Sequence, residues 1–220
     1  MVPTAIIDQA KRMGLDIIGI CDHNSAENVG AVLEAGRRMD LPVIPGMEIT
    51  SREEVHVLGL FPDEESLLAL QGLVYEHLPG ENRPEHFGSQ IIVDDCDAVV
   101  GSSPKLLIGA TGLSLEETVR LIHEAGGLAI AAHIDRERFG LLGQLGFVPE
   151  GLDVDAMEVS PRARLEDWAE YTVVTFSDAH VLRDIGRSST SFLLGGATLE
   201  EIAKALRKED GRAILTAGGG

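Results

Sequence analysis

Residues 173–180 combine a short apolar run with two side chains of the kinds that bind metal ions. The run from Val173 to Phe176 consists of β-branched and aromatic residues, which is typical of a strand buried on both faces. Asp178 and His180 follow it, and a carboxylate and an imidazole two residues apart can serve one metal site or two adjacent ones. The same pair also suits a turn capped by the aspartate, with a surface histidine, so this stretch alone leaves both interpretations open.

Similar side chains recur where other predicted strands end. These strands are short apolar runs, and the residues that follow them are His23 after 15–21, Glu48 after 41–46 and His133 after 128–132. His56 lies within the strand predicted at 54–61, on the face opposite Val55 and Val57. A single histidine is more often structural than a ligand, but chance would scatter such residues among both ends of the strands. We therefore predict that they share one metal site.

Helices are predicted between these strands, where apolar residues recur with helical spacing, at 5–13, 26–39, 114–125 and 199–208. Their predicted N-caps are Thr4, Ser25, Ser114 and Thr198. Ser114 also has Glu117 at capping-box spacing. The remaining predicted elements are strands at 154–159, 173–176, 190–194 and 213–215 and a short helix at 165–170. This alternation predicts parallel strands covered by helices, and α/β barrels place their active sites at the carboxyl ends of such strands.

The composition is that of an ordinary globular protein. The chain has 220 residues, 44% of them hydrophobic and 25% charged, which suits one domain over 1–220 with an insertion at about 63–112, where the pattern weakens. No apolar run approaches the roughly 20 residues of a membrane span, and charged residues at 8–12 interrupt any signal-peptide pattern. We therefore expect a cytoplasmic protein with no membrane partner. Cys21 and Cys96 are predicted to be unpaired thiols.

The charge of the chain bears on its partners. A formal net charge of −18 disfavours electrostatic binding to nucleic acid over a large surface, because binding phosphates along a polymer needs a basic surface. A small phosphate can still be held by metal ions or by a few arginines inside a cleft. We therefore expect a small phosphorylated substrate and no extended nucleic-acid surface.

Six segments of the chain resemble the PHP (polymerase and histidinol phosphatase) family of metal-dependent phosphoesterases. They follow the order of the family over nearly the whole chain, at 14–18, 21–25, 45–48, 54–59, 131–133 and 177–180. The resemblance implies a distorted (β/α)7 barrel that binds up to three divalent ions, of Zn, Mn or Fe. It implies that Glu48 bridges two ions and that Asp178 binds one of these. The other implied ligands are His56 and His133 for the second bridged ion, and His23 and His180 for a third.

The chain departs from the family in one respect. Members of the family begin with a strand carrying His-x-His, whereas this sequence has no histidine before His23. We therefore expect the first strand of the barrel to be missing, with fewer bound ions and impaired activity. The gap would expose strand edges, which invite pairing with another copy of the chain.

Other polar residues are assigned from their positions. Arg136, three residues after His133, is a candidate for gripping the substrate phosphate, with a surface salt bridge as the equal alternative. Asp22 is predicted to orient His23, and is grouped with Arg136 as a catalytic candidate. Arg187 is a weaker phosphate-binding candidate, and Glu158 is expected to face the cleft or a nearby arginine. The histidines interpreted as structural are His77, His86 and His123.

The leading functional hypothesis is hydrolysis of a phosphate monoester of a nucleotide or small metabolite by a metal-activated water. It agrees with the sequence, which has no nucleophile-elbow serine and no P-loop. One alternative is a non-catalytic, metal-binding remnant of a PHP domain, because the first motif is missing. The other is a barrel amidohydrolase, since the same ligand types serve amide hydrolysis.

Overall fold

A computed structural model describes residues 1–161, 168 and 170–218 of the chain. The helices in this part are α1 Pro3–Arg12, α2 Val29–Arg38, α3 Glu64–His77, α4 Pro84–Phe87, α5 Leu115–Glu124, α6 Leu141–Leu145 and α7 Leu199–Arg207. The helix predicted at 165–170 falls largely outside the described residues. Within the described part, no helix combines the length and the apolar composition that crossing a membrane requires.

The strands lie in one central sheet and two small ones. They are β1 Ile18–His23, β2 Val43–Thr50, β3 His56–Leu60, β4 Ile91–Val93, β5 Val99–Ser102, β6 Leu128–Ala131, β7 Ala156–Glu158, β8 Val173–Val174, β9 Ser189–Leu193 and β10 Ala213–Gly218. The central sheet has six strands in the order β1-β2-β3-β6-β7-β8. Strands β4 and β5 form a hairpin, and β9 pairs with β10.

The direction of β3 is the main feature that positions the site. Strand β1 runs parallel to β2, and β6, β7 and β8 run parallel to one another, but β3 is antiparallel to both of its neighbours. The short connection over 51–55 returns the chain directly beside β2, as antiparallel pairing allows. The amino end of β3 therefore lies at the same edge of the sheet as the carboxyl ends of the other five strands.

The distorted (β/α)7 barrel is not confirmed, since no closed barrel is present in the part of the chain that the structure describes. The central sheet is open, with β1 at one edge and β8 at the other. Closing it would require a strand on the free side of β1, whereas β9 pairs with β10 in a separate sheet. The fold is therefore a mixed α/β fold around a largely parallel sheet.

Helix caps show where the predictions hold and where they fail. Ser114 and Glu117 form a capping box at α5, and Thr198 caps α7, so both predictions are confirmed. Thr4 is not a cap, because Pro3 already occupies the first turn of α1 and the Thr4 hydroxyl instead donates to Asp97. Ser25 is not a cap either, since α2 begins three residues later than predicted.

Apolar residues on one face of each long helix pack against the sheet. Ile7 of α1 and Val32 of α2 lie in one cluster at the β1 side, and Ile122 of α5 packs with Val57 of β3 in the largest cluster. The predicted insertion contains α3, α4 and the β4–β5 hairpin. Asn28 joins that hairpin to α2, since its side chain donates to Ile91 O and accepts from Val93 N.

The pair of Glu201 and Arg212 predicts a pH dependence of stability. The side-chain hydrogen bond from Arg212, with one from the Gly195 N–H, lowers the pKa of Glu201 to about 2 from its ordinary 4.5. Because the folded pKa is the lower one, the stabilisation is present above about pH 4.5 and is lost as the pH falls towards 2. Glu201→Gln should therefore lower the thermal midpoint at pH 7 and converge with the wild type near pH 2.

The matched control for this prediction is Glu200→Gln. Glu200 also stands in the first turn of α7, but its side chain is 76% exposed and pairs only with Lys204 in the described part of the chain. Thermal scans of this variant should track the wild type at every pH. If the thermal midpoint of Glu201→Gln stays below that of the wild type by the same amount from pH 7 to pH 2, the lowered pKa of Glu201 is not the cause of the stabilisation.

Candidate metal site

Three imidazoles surround the carboxylate of Glu48 in β2. His23 Nδ1 lies 3.0 Å from Glu48 Oε2, and His56 Nδ1 and His133 Nε2 lie 3.1 Å and 3.3 Å from Oε1. Glu48, His56 and His133 are buried, and His23 is half-buried. The structure thus brings together four of the six predicted metal ligands at one edge of the sheet.

The sheet explains why these side chains meet. His23 and Glu48 are register partners on the adjacent parallel strands β1 and β2. His56 is the first residue of β3, opposite Thr50 at the end of β2. His133 follows β6, and the preceding Ala132 N–H donates to His56 O over 3.0 Å. The reversal of β3 is therefore what brings a histidine from the start of a strand to the same edge as the others.

The electrostatics of Glu48 favour its ionised form. Burial alone would raise the pKa of this carboxyl, but hydrogen bonds from His133, His23 and His56 hold it well below its usual range. The hydrogen bond to Glu48 raises the pKa of His23 in turn. The centre of the site is therefore a buried carboxylate that attracts positive charge.

The donor set fits a divalent cation. His23, Glu48 and His56 each offer a ligand atom, and these atoms all lie within 4.8 Å of one another. The buried Nδ1 atom of His133 has no hydrogen-bond partner among the described residues, and the buried Nδ1 atom of His56 faces Glu48 Oε1 at 3.1 Å without good alignment. Imidazole nitrogens together with a carboxylate suit zinc, manganese or iron.

Asp178 and His180 lie beside this group rather than on Glu48. His180 Nδ1 is 3.6 Å from Asp178 Oδ1, and the His180 ring centroid is 5.9 Å from that of His23. Arg136 pairs with Asp178 through Nη1 and Oδ2, and its side chain is 47% exposed. Arg136 therefore lies at the mouth of the site, where both of its predicted roles, a phosphate contact and a salt bridge, are geometrically open.

The prediction that Asp22 orients His23 stays a prediction. His23 Nδ1 bonds to Glu48, while the Asp22 carboxyl is hydrogen-bonded by Asn28, and burial raises the pKa of Asp22. Arg187 pairs with Asp184 at 2.7 Å.

Sequence reasoning missed two residues at the site, Asn24 and Phe139, and expected of Glu158 only that it faces the cleft or a nearby arginine. Asn24 is fully buried and bonds through its side chain to Leu107 O, Gly109 O and Thr50 N at 2.8–3.0 Å. Glu158 is buried beneath His133, and burial raises its pKa to about 6. Phe139 stacks on the ring of His56, with centroids 4.6 Å apart. Only Glu158, at the end of a predicted strand, carried a signal that the sequence could show.

A cavity of about 440 Å³ leads from the site along the inner face of the sheet. His23, Glu48, Glu158, Asp178 and His180 line its polar end, and the other end is apolar. A larger cleft of about 630 Å³ lies beside His123 and Asp155, at the opposite end of the strands, where β3 ends and β6 begins. The cluster around Glu48 opens into the smaller cavity, so we assign the candidate site there.

The chain matches one family model over part of its length and is distantly similar to several proteins. A model described as PHP-associated matches residues 169–210. The chain is 25% identical over 239 residues to the uncharacterized protein YqxK of Bacillus subtilis, covering 96% of the chain and 56% of YqxK. It is 22% identical over 171 residues to a 5'-3' exoribonuclease of Haemophilus influenzae, covering 60% of the chain and 62% of the relative. The chain thus spans less than two thirds of the length of these relatives.

Solved structures share the fold at low sequence identity. The lesion-specific endonuclease PfuEndoQ of Pyrococcus furiosus has a TM-score of 0.71 at 19% identity, covering 98% of this chain and 53% of its own. Endonuclease Q in complex with a 27-mer duplex substrate has a TM-score of 0.73 at 18% identity, covering 98% and 54%. A Bifidobacterium adolescentis protein assigned as a metal-dependent phosphoesterase has a TM-score of 0.51 at 19% identity, covering 94% and 91%.

The predicted absence of an extended nucleic-acid surface is wrong in the light of these likenesses. The fold matches over 98% of the chain to a protein solved with a DNA duplex. The prediction rested on a net charge of −18, which sums over the whole surface and does not describe one edge of a sheet. Two arginines do lie at that edge, since Arg52 follows Thr50 of β2 by two residues and Arg136 pairs with Asp178 beside the cluster.

Several findings bear on the resemblance to the PHP family. They are the order of the strands, the carboxylate among three histidines and the similarity to known proteins. The PHP-associated match lies in the carboxyl-terminal part of the chain, which includes Asp178 and His180. The structural match to a protein assigned as a metal-dependent phosphoesterase spans nearly all of both chains. Together they confirm the resemblance to the PHP family that the sequence shows.

Proposed function

We propose that this chain is a metal-dependent hydrolase of phosphate esters. The observation that carries the proposal is the buried carboxylate of Glu48 with the imidazoles of His23, His56 and His133 around it. Such a cluster is costly to bury unless it binds a cation, because two of its ring nitrogens have no aligned partner within the described residues. The likeness to a metal-dependent phosphoesterase fold supports phosphate esters as the substrate class.

The residues divide between holding the metal and holding the substrate. Glu48, His56 and His133 would bind the central ion, and His23, Asp178 and His180 would supply further ligands. A bound divalent ion lowers the pKa of water and offsets charge on phosphate oxygens. Arg136 pairs with Asp178, which lines the polar end of the cavity, so its guanidinium would contact a phosphate bound there.

A nucleic-acid phosphodiester is the first substrate candidate. Its support is the fold shared with endonuclease Q, which was solved with a DNA duplex, and the similarity to a 5'-3' exoribonuclease. Exposed arginines at the site edge add to it, since the side chains of Arg52 and Arg136 are 63% and 47% exposed. Such side chains can follow a phosphate backbone past the site.

A phosphate monoester of a nucleotide or small metabolite is the second candidate. It is favoured by the cavity of about 440 Å³ behind the cluster, which lies in the size range of small-molecule sites. A monoester would place its phosphate at the polar end of this cavity, and the rest of the molecule would lie along the apolar part.

The two candidates are separated by one panel of substrates. The purified chain with added Mn²⁺ or Zn²⁺ is incubated with end-labelled DNA and RNA strands, with nucleoside monophosphates and with p-nitrophenyl phosphate, and Glu48→Gln serves as the inactive control. Cleavage of the strands alone supports the first candidate, and phosphate release alone supports the second. Metal binding without either reaction would favour a non-catalytic remnant, and turnover of amides would favour an amidohydrolase.

Arg136→Ala tests the phosphate contact. If the guanidinium grips the substrate phosphate, the variant should raise KM by about tenfold or more, which corresponds to losing a charge-assisted contact of about 1.5–3 kcal/mol. Arg120→Ala is the matched control, because Arg120 also pairs with a single carboxylate, that of Glu124, but stands on α5. Steady-state kinetics in which the two variants do not differ would remove Arg136 from the site.

A further inference from the structure

Glu158 lies under His133 with no assigned task, at the carboxyl end of β7. Its side chain is 4% exposed and its Oε2 accepts a hydrogen bond of 3.1 Å from the His133 N–H. Within the described part of the chain, this is the one side-chain hydrogen bond that Glu158 makes. Burying a carboxylate costs free energy unless hydrogen bonds or opposite charges offset it. The single hydrogen bond from the His133 N–H therefore requires an explanation.

The backbone of His133 supplies that explanation. Its φ is +28°, in the left-handed region that residues other than glycine seldom adopt. Such a conformation persists only where the surroundings hold it. Glu158 holds it twice, since its side chain accepts from His133 N and its main-chain O accepts from Ile134 N at 2.9 Å.

We propose that Glu158 is a positioning residue that presents the His133 imidazole to the metal site by fixing the backbone of His133. The proposal rests on the metal-binding role proposed above for Glu48, His56 and His133. His133 leaves β6 at a turn whose conformation decides where its ring points, and the ring reaches Glu48 Oε1 at 3.3 Å. Removing the carboxylate frees the turn to relax, and the ring then leaves the ligand group.

Binding of Co²⁺ alone tests this role without any substrate. Glu158→Ala should lower Co²⁺ affinity by roughly 10–100-fold, as losses of groups that orient metal ligands do. It should also change the visible spectrum of the bound ion, which reports ligand geometry. Glu158→Gln keeps an oxygen that can accept from His133 N–H, so its affinity and spectrum should stay near those of the wild type. If Glu158→Ala does not fold, Glu158→Asp replaces it, because the shorter side chain does not reach the same N–H.

A double-mutant cycle separates positioning from a general loss of stability. In a His133→Ala background, Glu158→Ala should weaken Co²⁺ binding no further, because the ligand on which it acts is already absent. Thr175→Val is the structural control: it removes a buried hydrogen bond to Val159 O on the neighbouring strand and should leave the affinity unchanged.

Each contrary result has a distinct meaning. A loss for Glu158→Gln as large as that for Glu158→Ala, or an equal loss in the His133→Ala background, would overturn the positioning role while the metal site stands. An unchanged affinity in Glu158→Ala would do the same. A wild-type chain that binds no Co²⁺ would instead overturn the proposed function itself.

Discussion

Glu48→Gln is expected to lower the metal affinity of the chain by about a hundredfold or more, because losing a direct ligand should exceed the 10–100-fold typical of groups that only orient ligands. The amide keeps the shape of the side chain but removes the charge that faces the imidazoles of His23, His56 and His133. The measurement is elemental analysis after dialysis against Zn²⁺ or Mn²⁺, followed by titration with a competing chelator. Thermal stabilisation by added metal should disappear in the same variant.

The comparison that makes this prediction specific is His180→Ala. The His180 side chain is 64% exposed and lies next to Asp178, outside the group around Glu48. Its loss should therefore lower bound metal less than the loss of Glu48 or of His133. Equal losses in the three variants would contradict a site centred on Glu48. His86→Ala, on the short helix α4, should change nothing.

Asn24→Ala is expected to destabilise the fold by about 2 kcal/mol or more, because it leaves the buried Thr50 N–H and two half-buried carbonyl groups without their partner, at about 1–3 kcal/mol for a buried group. The Asn24 side chain donates to Leu107 O and Gly109 O and accepts from Thr50 N. It thereby joins the end of β2, two residues from Glu48, to the loop that closes the predicted insertion. The variant should lose both urea resistance and metal affinity.

Asn28→Ala is the control for the loss of the Asn24 hydrogen bonds. Asn28 also bonds to two backbone groups of the inserted region, Ile91 O and Val93 N, but it is half-buried, so water can replace the lost partners. We expect a cost of about 1 kcal/mol or less, as is usual for a hydrogen bond near the surface. Equal urea midpoints for the two variants would show that the burial of Asn24 is not what matters.

Local signals in the sequence predicted much of the fold and of the site. Ser114 with Glu117 marks the start of α5 by a rule that depends on four consecutive residues, and the structure agrees. His23, Glu48 and His133 were found because each stands where a buried apolar run ends. The direction of β3 could not be found in this way, because an alternating pattern is the same when it is read in either direction.

What the sequence could not show depends on contacts between distant residues. Asn24 resembles any polar residue after a strand, and its role appears only when the carbonyl groups of Leu107 and Gly109 are brought to it. Whether the strands of the sheet form a barrel could not be predicted for a related reason. Alternation of strands and helices does not determine whether the last strands return to β1, and here β9 pairs with β10 instead.

The reversal of β3 also bears on how the site assembles during folding. Glu48 and His56 come from a hairpin joined by residues 51–55, whereas His133 comes from β6, far along the chain. Closing a short loop costs less entropy than closing a long one, and local contacts form sooner. Glu48 and His56 can therefore come together in a local hairpin before the distant β6 docks beside β3 and brings His133 to them.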